Sequence, residues 1–545
     1  MKSLLELGSA LGLDPSEVHP AGGTAGKIPV SVVRERAGKG RRGKLILVTG
    51  ITPTRHGEGK TVTVIGLANA LSKIGRRSVA CLRQPSLGPT FGVKGGATGG
   101  GRATVEPAAE INLGFTGDIH SVAAAHNLLS ALADNHIFHG NALGIDPARI
   151  VWPRTMDNED RALRHITVGK LADPRSAVHE SSFCITAASE VMAILALARD
   201  YTDLKERLGR ILVGFTTSGA AVRASDLKAA GAMAAILRDA LEPNLVQTSE
   251  GVPALIHAGP FGNIAHGTCS RLSIELGLAT SDYCVVEAGF ATDLGGEKFI
   301  DIVTPVLGTN VDAAVLVATQ RSLRFQGGAT EAESSQPAKA ALERGLESLD
   351  QHLRNLEALG LSTVVALNHF PGDSEEEAEI MRAFCRSHGV DLVASRGFEE
   401  GGAGVVELAR AVEAAAALGH QSHPLYPAGT PPLKQVEILA TRIYGAEGAR
   451  QLPEALEDLG VLERIQETMG PVCVAKTPLS LSDNPKLLNR PPKGYRVTID
   501  RFTRSAGAGF TVAHLGSIEL MPGLPTHPAS ETIDVTPDGR VVGVH

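Results

Sequence analysis

The sequence predicts an α/β fold: a phosphate-loop NTPase-like parallel sheet domain followed by two smaller α/β domains. Apolar strand-like runs are each followed by a glycine-rich or polar turn and then an alanine-rich helical stretch, as at 44–71, 211–237 and 363–385. The first of these units carries a turn with the marks of a phosphate loop, and two composition shifts, at 326–337 and 421–432, divide the chain. Such alternation favours parallel strands that present ligands at their C-terminal ends.

The opening unit begins with Lys44, a basic residue that leads into a strand-like run of leucine and β-branched residues, Leu-Ile-Leu-Val-Thr. After it come Thr54, Arg55, His56, Gly57, Glu58, Gly59, Lys60 and Thr61, and then a stretch at 62–72 read as an amphipathic helix. Glycines that free backbone N–H groups at a helix N-terminus form an anion cradle, a lysine there reaches the outer phosphates, and the threonine hydroxyl can ligate magnesium. The first glycine of the usual G-x-x-x-x-G-K-[ST] pattern falls at Thr54. A chance G-x-G-K-T in a glycine-rich chain is the alternative, which the preceding strand disfavours.

A second strand, at 78–82, leads to Arg83, Ser86 and Gly88, then to Lys94, Gly95 and Gly96 in a run of glycines. Cations among glycines suit a backbone that must approach an anion, though such a loop also serves as a tight connection. Asp118 and His120 follow, at the start of a predicted helix over 120–132. Asp118 either accepts a proton or holds a cation, with His120 in acid–base chemistry, or Asp118 caps that helix.

The strand at 283–286 ends in Glu287, with Asp293 beyond it, so that both carboxylates suit magnesium and phosphate sensing or else merely accompany a glycine turn. Strands are also predicted at 313–317, 391–394 and 471–474, and from Val364 into Asn368. Phe370 and Pro371 follow one of them and Phe398 lies in a glycine loop after another, in a chain with only 4% aromatics. They either flank a flat heterocycle or pack internally. The expected domains are 1–330, binding nucleotide, 331–430, supplying the heterocycle slot, and 431–545.

Composition narrows the class. With 43% hydrophobic residues and a net charge of −7, the chain reads as a globular protein with no nucleic-acid surface. No apolar run approaches the ~18 residues of a spanning helix, and Glu6 interrupts any signal-peptide core, so no membrane is expected and the cytoplasm is. The six cysteines lack metal-ligand spacing and read as small buried hydrophobes.

Taken together, T-P-T-x-x-G-E-G-K-T, L-R-x-P-S-L-G-P, K-G-G-A-x-G-G-G, F-T-G-D, D-L-K-x-x-G-A-M, P-N-L-V-Q-T and E-A-G-F-x-x-D-L-G-x-E-K-F, in this order over nearly the whole chain, closely resemble the formate–tetrahydrofolate ligase family. The resemblance implies ATP-dependent joining of formate to tetrahydrofolate through formyl phosphate, with Mg2+ accompanying ATP, a homo-oligomer (dimer or tetramer), and activation by K+ or NH4+. It implies that 54–61 holds the triphosphate, that Lys60 neutralises the transferred phosphoryl group, and that Arg83 with its loop orients formate or formyl phosphate. Asp118 would relieve the attacking amine of its proton or fix a cation, and Phe370, Pro371 and Phe398 would flank the pterin or purine ring.

Several residues depart from the family pattern. Gln84 stands where the family has Glu, Gly114 where it has His, Cys184 where it has Asp, and Phe398 where Trp is common. The missing charge at Gln84 puts the monovalent cation in doubt. A paralogue that activates formate or another small carboxylate for a different amine is the alternative, as is a non-catalytic nucleotide- or folate-binding relative.

Overall fold

Leu45, Ile46, Leu47 and Val48 are all fully buried, and they alternate between two hydrophobic cores: Leu45 and Leu47 face one, Ile46 and Val48 the other. A strand covered on both faces has no polar side to show, which is why it reads as a continuous apolar run. Each such side chain contributes roughly 1.5–3 kcal/mol by leaving water. The computed structural model describes residues 1–545 except 55–56, 94–95, 172, 174, 488–492, 517 and 545.

Twelve strands form the central sheet: β1 (His19–Ala21), β2 (Ala25–Lys27), β3 (Lys44–Gly50), β4 (Ser78–Leu82), β5 (Gly99–Gly100), β6 (Ala103–Glu106), β7 (Asn244–Thr248), β8 (Pro253–Ile256), β9 (Tyr283–Glu287), β10 (Ala313–Ala318), β11 (Thr363–Asn368) and β12 (Asp391–Ser395). Their order is β1-β2-β7-β8-β4-β9-β3-β10-β11-β12, with β6 beside β7 and β5 beside β6. From β8 to β12 every neighbouring pair is parallel. The pairs involving β1, β2, β5, β6 and β7 are antiparallel. The strands of 331–430 thus continue the same sheet.

The helices that matter for the site are α1 (Lys60–Lys73), α2 (Leu87–Phe91), α3 (Asp118–Phe138), α4 (Lys339–Ala358), α5 (Glu375–Ser387) and α6 (Val406–Ala417). Contrary to the amphipathic reading, α1 is buried at every position from Val62 to Leu71. It lies between the sheet and the segment around Val405, where a Cβ added at Gly66 would come within 3.1 Å of Val405 Cγ2. The unit at 211–237 also differs from expectation. Leu212–Thr216 pairs antiparallel with both of its neighbours in a separate three-stranded sheet, with the hairpin partner Ala221–Arg223 inserted before the helix Ala230–Ile236.

Further along, β13 (Val472–Ala475), β14 (Arg501–Ser505) and β15 (Phe510–His514) make a mixed sheet in which β15 is central. All six cysteines are free and buried. Among the described residues no helix is long and apolar enough to cross a membrane.

Candidate active site

The C-terminal ends of β3, β4, β9, β10, β11 and β12 bring most of the predicted residues to one edge of the sheet. The loop after β3 turns into α1 through Gly57 (φ 74°) and Gly59 (φ 77°), both in the left-handed region that glycine adopts without strain. At Gly59 a side chain is also sterically excluded, since an added Cβ would lie 2.2 Å from Asn368 Nδ2. Arg55, His56, Lys94 and Gly95 lie outside the described residues.

Glu58 organises this loop from within. Its buried carboxylate accepts from Thr54 N at 2.7 Å, Thr54 Oγ1 at 3.1 Å and Thr319 Oγ1 at 2.8 Å, while Asn368 Nδ2 donates to its backbone oxygen at 3.2 Å. Lys60 folds over Gly50, where an added Cβ would meet its Cδ at 3.3 Å. Burial pushes the Lys60 ammonium below the usual lysine range, against the pull of Glu287 and then Glu58.

Glu287 joins three of the predicted residues. Thr61 Oγ1 donates to one carboxylate oxygen at 2.6 Å and Arg83 Nη2 to the other at 2.9 Å. Burial pushes this carboxyl up, but Arg83, the Thr61 hydroxyl and Lys60 outweigh it and hold the pKa below the usual range. Arg83 Nη1 reaches Pro260 O at 3.4 Å, and its Nε has no partner among the described residues. Beside it Gln84 is buried, with neither side-chain amide atom hydrogen-bonded among the described residues.

The loop after Arg83 is fastened by a residue the sequence reading missed. Asp157 accepts from Ser86 Oγ at 2.6 Å and Leu87 N at 2.8 Å, capping α2 from outside, so the Ser86 hydroxyl is committed to it. Burial pushes the Asp157 carboxyl up to about 6. Gly88 packs where a Cβ would strike Ile185 Cδ1 at 2.4 Å, and Gly96 has a φ of 156°.

Asp118 does not cap α3, which begins at that residue with Gly117 as its N-cap. Its carboxylate is buried and accepts from Lys27 Nζ at 2.7 Å, Asn244 Nδ2 at 2.7 Å and Thr116 Oγ1 at 3.0 Å. The cation beside Asp118 in this structure is the Lys27 ammonium. Lys27 closes the segment 21–27, and its one sequence signal is a lone lysine among small residues. His120 is exposed and faces Gly114, where an added Cβ would lie 3.2 Å from its Nε2.

The Asp293 carboxylate forms a buried ion pair with Lys476 Nζ at 2.6 Å, within a π-helical turn over Thr292–Gly296, and so ties this turn to the 431–545 segment. Glu287 alone of the two expected carboxylates faces Thr61.

Phe370 and Phe398 are 39% and 50% exposed, so neither ring is buried in the core. Their loops adjoin: His369 N donates to Ser395 O at 3.0 Å, and His369 Nδ1 lies 3.7 Å from Glu399. Phe398 is tied to the second glycine loop by Arg102 N donating to its oxygen at 2.8 Å. Pro371 is exposed beside Phe370. A cavity of about 490 Å³ is lined among others by Trp152, Cys184, Glu190 and Phe510, and by none of the predicted site residues.

A family model described as formate–tetrahydrofolate ligase matches residues 1–545. A formate–tetrahydrofolate ligase of Myxococcus xanthus is 47% identical, covering 100% of this chain and 99% of its own length. Relatives of the same name from Thermus thermophilus and Thermotoga petrophila are each 49% identical, covering 99% and 100% of this chain and 98% and 100% of their own lengths. With a full-length family match and relatives this similar end to end, the chain belongs to the formate–tetrahydrofolate ligase family.

Proposed function

We propose that this chain joins formate to tetrahydrofolate at the expense of ATP, through formyl phosphate. The carrying observation is the convergence of Lys60, Thr61, Arg83 and Glu287 at the ends of three adjacent parallel strands in a chain of this family. A formate oxygen attacks the terminal phosphorus as its bond to ADP breaks, and the folate amine then attacks the formyl carbon, expelling phosphate. Lys60 is held where it can neutralise charge developing on the transferred group, and Arg83 offers Nε to the formate or acyl-phosphate oxygens.

Thr61 keeps its oxygen lone pairs while its proton is held by Glu287, which suits a hydroxyl ligand to Mg2+; the ion would supply charge neutralisation on the phosphates. Asp118 is engaged by three donors and acts in this reading through Lys27, whose charge it anchors. Phe370, Pro371 and Phe398 form the exposed wall for a flat ring. We read the sheet as phosphate-loop NTPase-like, and 1–330, 331–430 and 431–545 as functional divisions, the second of which extends the sheet of the first. A cytoplasmic homo-oligomer follows from the resemblance, and light scattering on the purified protein tests the oligomer.

ATP turnover measured with formate alone, and with formate plus tetrahydrofolate, tests the reading. Formate-dependent ADP release accompanied by formyltetrahydrofolate supports it. Formate-dependent turnover without the folate product points to another acceptor, and no turnover points to a non-catalytic relative.

A further inference from the structure

The phosphate loop is fixed at its far end by a histidine from a distant helix. Thr52, two residues beyond β3, donates its backbone N–H to His352 Nε2 at 2.8 Å, with Thr52 Oγ1 3.1 Å from the same nitrogen. His352 Nδ1 lies 2.7 Å from Thr292 Oγ1, which also accepts from Asn355 Nδ2 at 3.0 Å. His352 and Asn355 share one face of α4, and all four residues of this chain of contacts are buried.

A backbone N–H can only donate, so Nε2 must present its lone pair and the ring proton must sit on Nδ1, donated to Thr292. The ring is therefore neutral and in one tautomer. A proton on Nε2 would oppose the Thr52 N–H and leave a buried donor unpaired. The charged groups acting on the ring are Asp293 and Lys476, already joined to each other, and burial takes its pKa down to about 4. Ser322 Oγ donates to Thr52 O at 3.3 Å, so Thr52 is held on both backbone groups.

We infer that His352 is a positioning residue for the phosphate loop, fixing where the chain leaves β3 through a one-directional hydrogen bond to the Thr52 amide; this rests on the reading that the loop holds the phosphates of ATP. The Glu58 carboxylate ties Thr54 to Thr319 further along, so His352 and Glu58 hold Thr52 and Thr54 separately.

The test separates the two faces of the ring. His352→Gln places an amide oxygen near the Nε2 position and can still accept from Thr52, whereas His352→Asn places its amide near Nδ1 and cannot. The expected result is a rise of more than tenfold in the KM for ATP in His352→Asn, recovery to within about threefold of wild type in His352→Gln, and a KM for tetrahydrofolate within about twofold in both. Equal behaviour of the two variants, or a parallel rise in both KM values, overturns the proposal. If His352→Asn does not fold, Thr292→Val removes the acceptor of the Nδ1 proton while keeping the histidine; a KM for ATP raised at least threefold is expected, and an unchanged one overturns the proposal. Lys60→Met is run in parallel. If it retains wild-type turnover, the phosphate-loop reading fails and takes this role with it; if it is inactive while the histidine variants behave alike, only the role of His352 falls.

Discussion

Lys27 and Asp118, 91 residues apart in sequence, form a buried ion pair with an N–O distance of 2.7 Å at the junction of β2 and α3. Removing one partner of such a pair strands a charge away from water. Lys27→Met should therefore cost about 3–5 kcal/mol of stability. Adding Asp118→Asn should restore part of it. Urea unfolding checks both, and a loss of under about 1 kcal/mol in the single variant, typical of a surface pair, would contradict the assignment.

Lys60→Met should abolish formyl transfer without lowering the melting temperature, because the ammonium stabilises charge in the transition state rather than filling the core. Residual turnover above about a tenth of wild type, equivalent to under ~1.4 kcal/mol, would exclude the assigned role.

Phe370→Ala and Phe398→Ala remove exposed rings, so stability should hardly change. Each should raise the KM for the folate or nucleotide much more than it lowers kcat, as expected when a wall contributes uniform binding. Steady-state kinetics with each substrate varied in turn distinguishes this from a role outside the site, in which no constant would move.

Gln84 is buried beside Arg83, whose guanidinium is already paired with Glu287. A glutamate at this position would bury a negative charge, and a monovalent cation would relieve it. Wild type is expected to be a weak ligase with little response to K+ or NH4+, and Gln84→Glu to gain activity or cation response. Gly114 adjoins His120 and Cys184 lines the 490 Å³ cavity, so the triple change to Glu, His and Asp is a separate test. Family-typical activity in wild type, with no gain in either variant, would mean these departures are neutral.

Burial pushes the Glu190 carboxyl up to about 7, against hydrogen bonds from Gly507 N and Ala508 N, both to Oε1. The folded state thus holds this proton more tightly than the unfolded chain. Its stabilising contribution is complete below the unfolded value near 4.5 and is lost as pH rises through about 7. Glu190→Gln keeps an acceptor oxygen and stays neutral, so it should match wild type at about pH 5 and be more stable by the order of 2–3 kcal/mol at about pH 8.5. A difference in unfolding midpoint that does not vary with pH would refute this.

The sequence by itself determined the parallel heart of the fold and the residues at its edge. Strands such as β3, β4, β9 and β10 are covered on both faces, so they are written as unbroken apolar runs, and glycines and charges punctuate their ends. The same logic misled at α1: a helix enclosed on all sides carries no polar stripe, and a few polar residues passed for one. It misled again at 211–237, where a local strand-turn-helix pattern does not reveal that an antiparallel hairpin intervenes.

What only the tertiary structure decided is which charges meet. Asp118 finds Lys27, Asp293 finds Lys476, Asp157 fastens Ser86, and His352 reaches Thr52 across 300 residues. Spacing along the chain records how residues share a helix face or a strand; it carries no trace of partners brought together by sheet order and helix packing. Buried polar groups must nevertheless be satisfied, and that requirement is what selects these partners once the strands are in place.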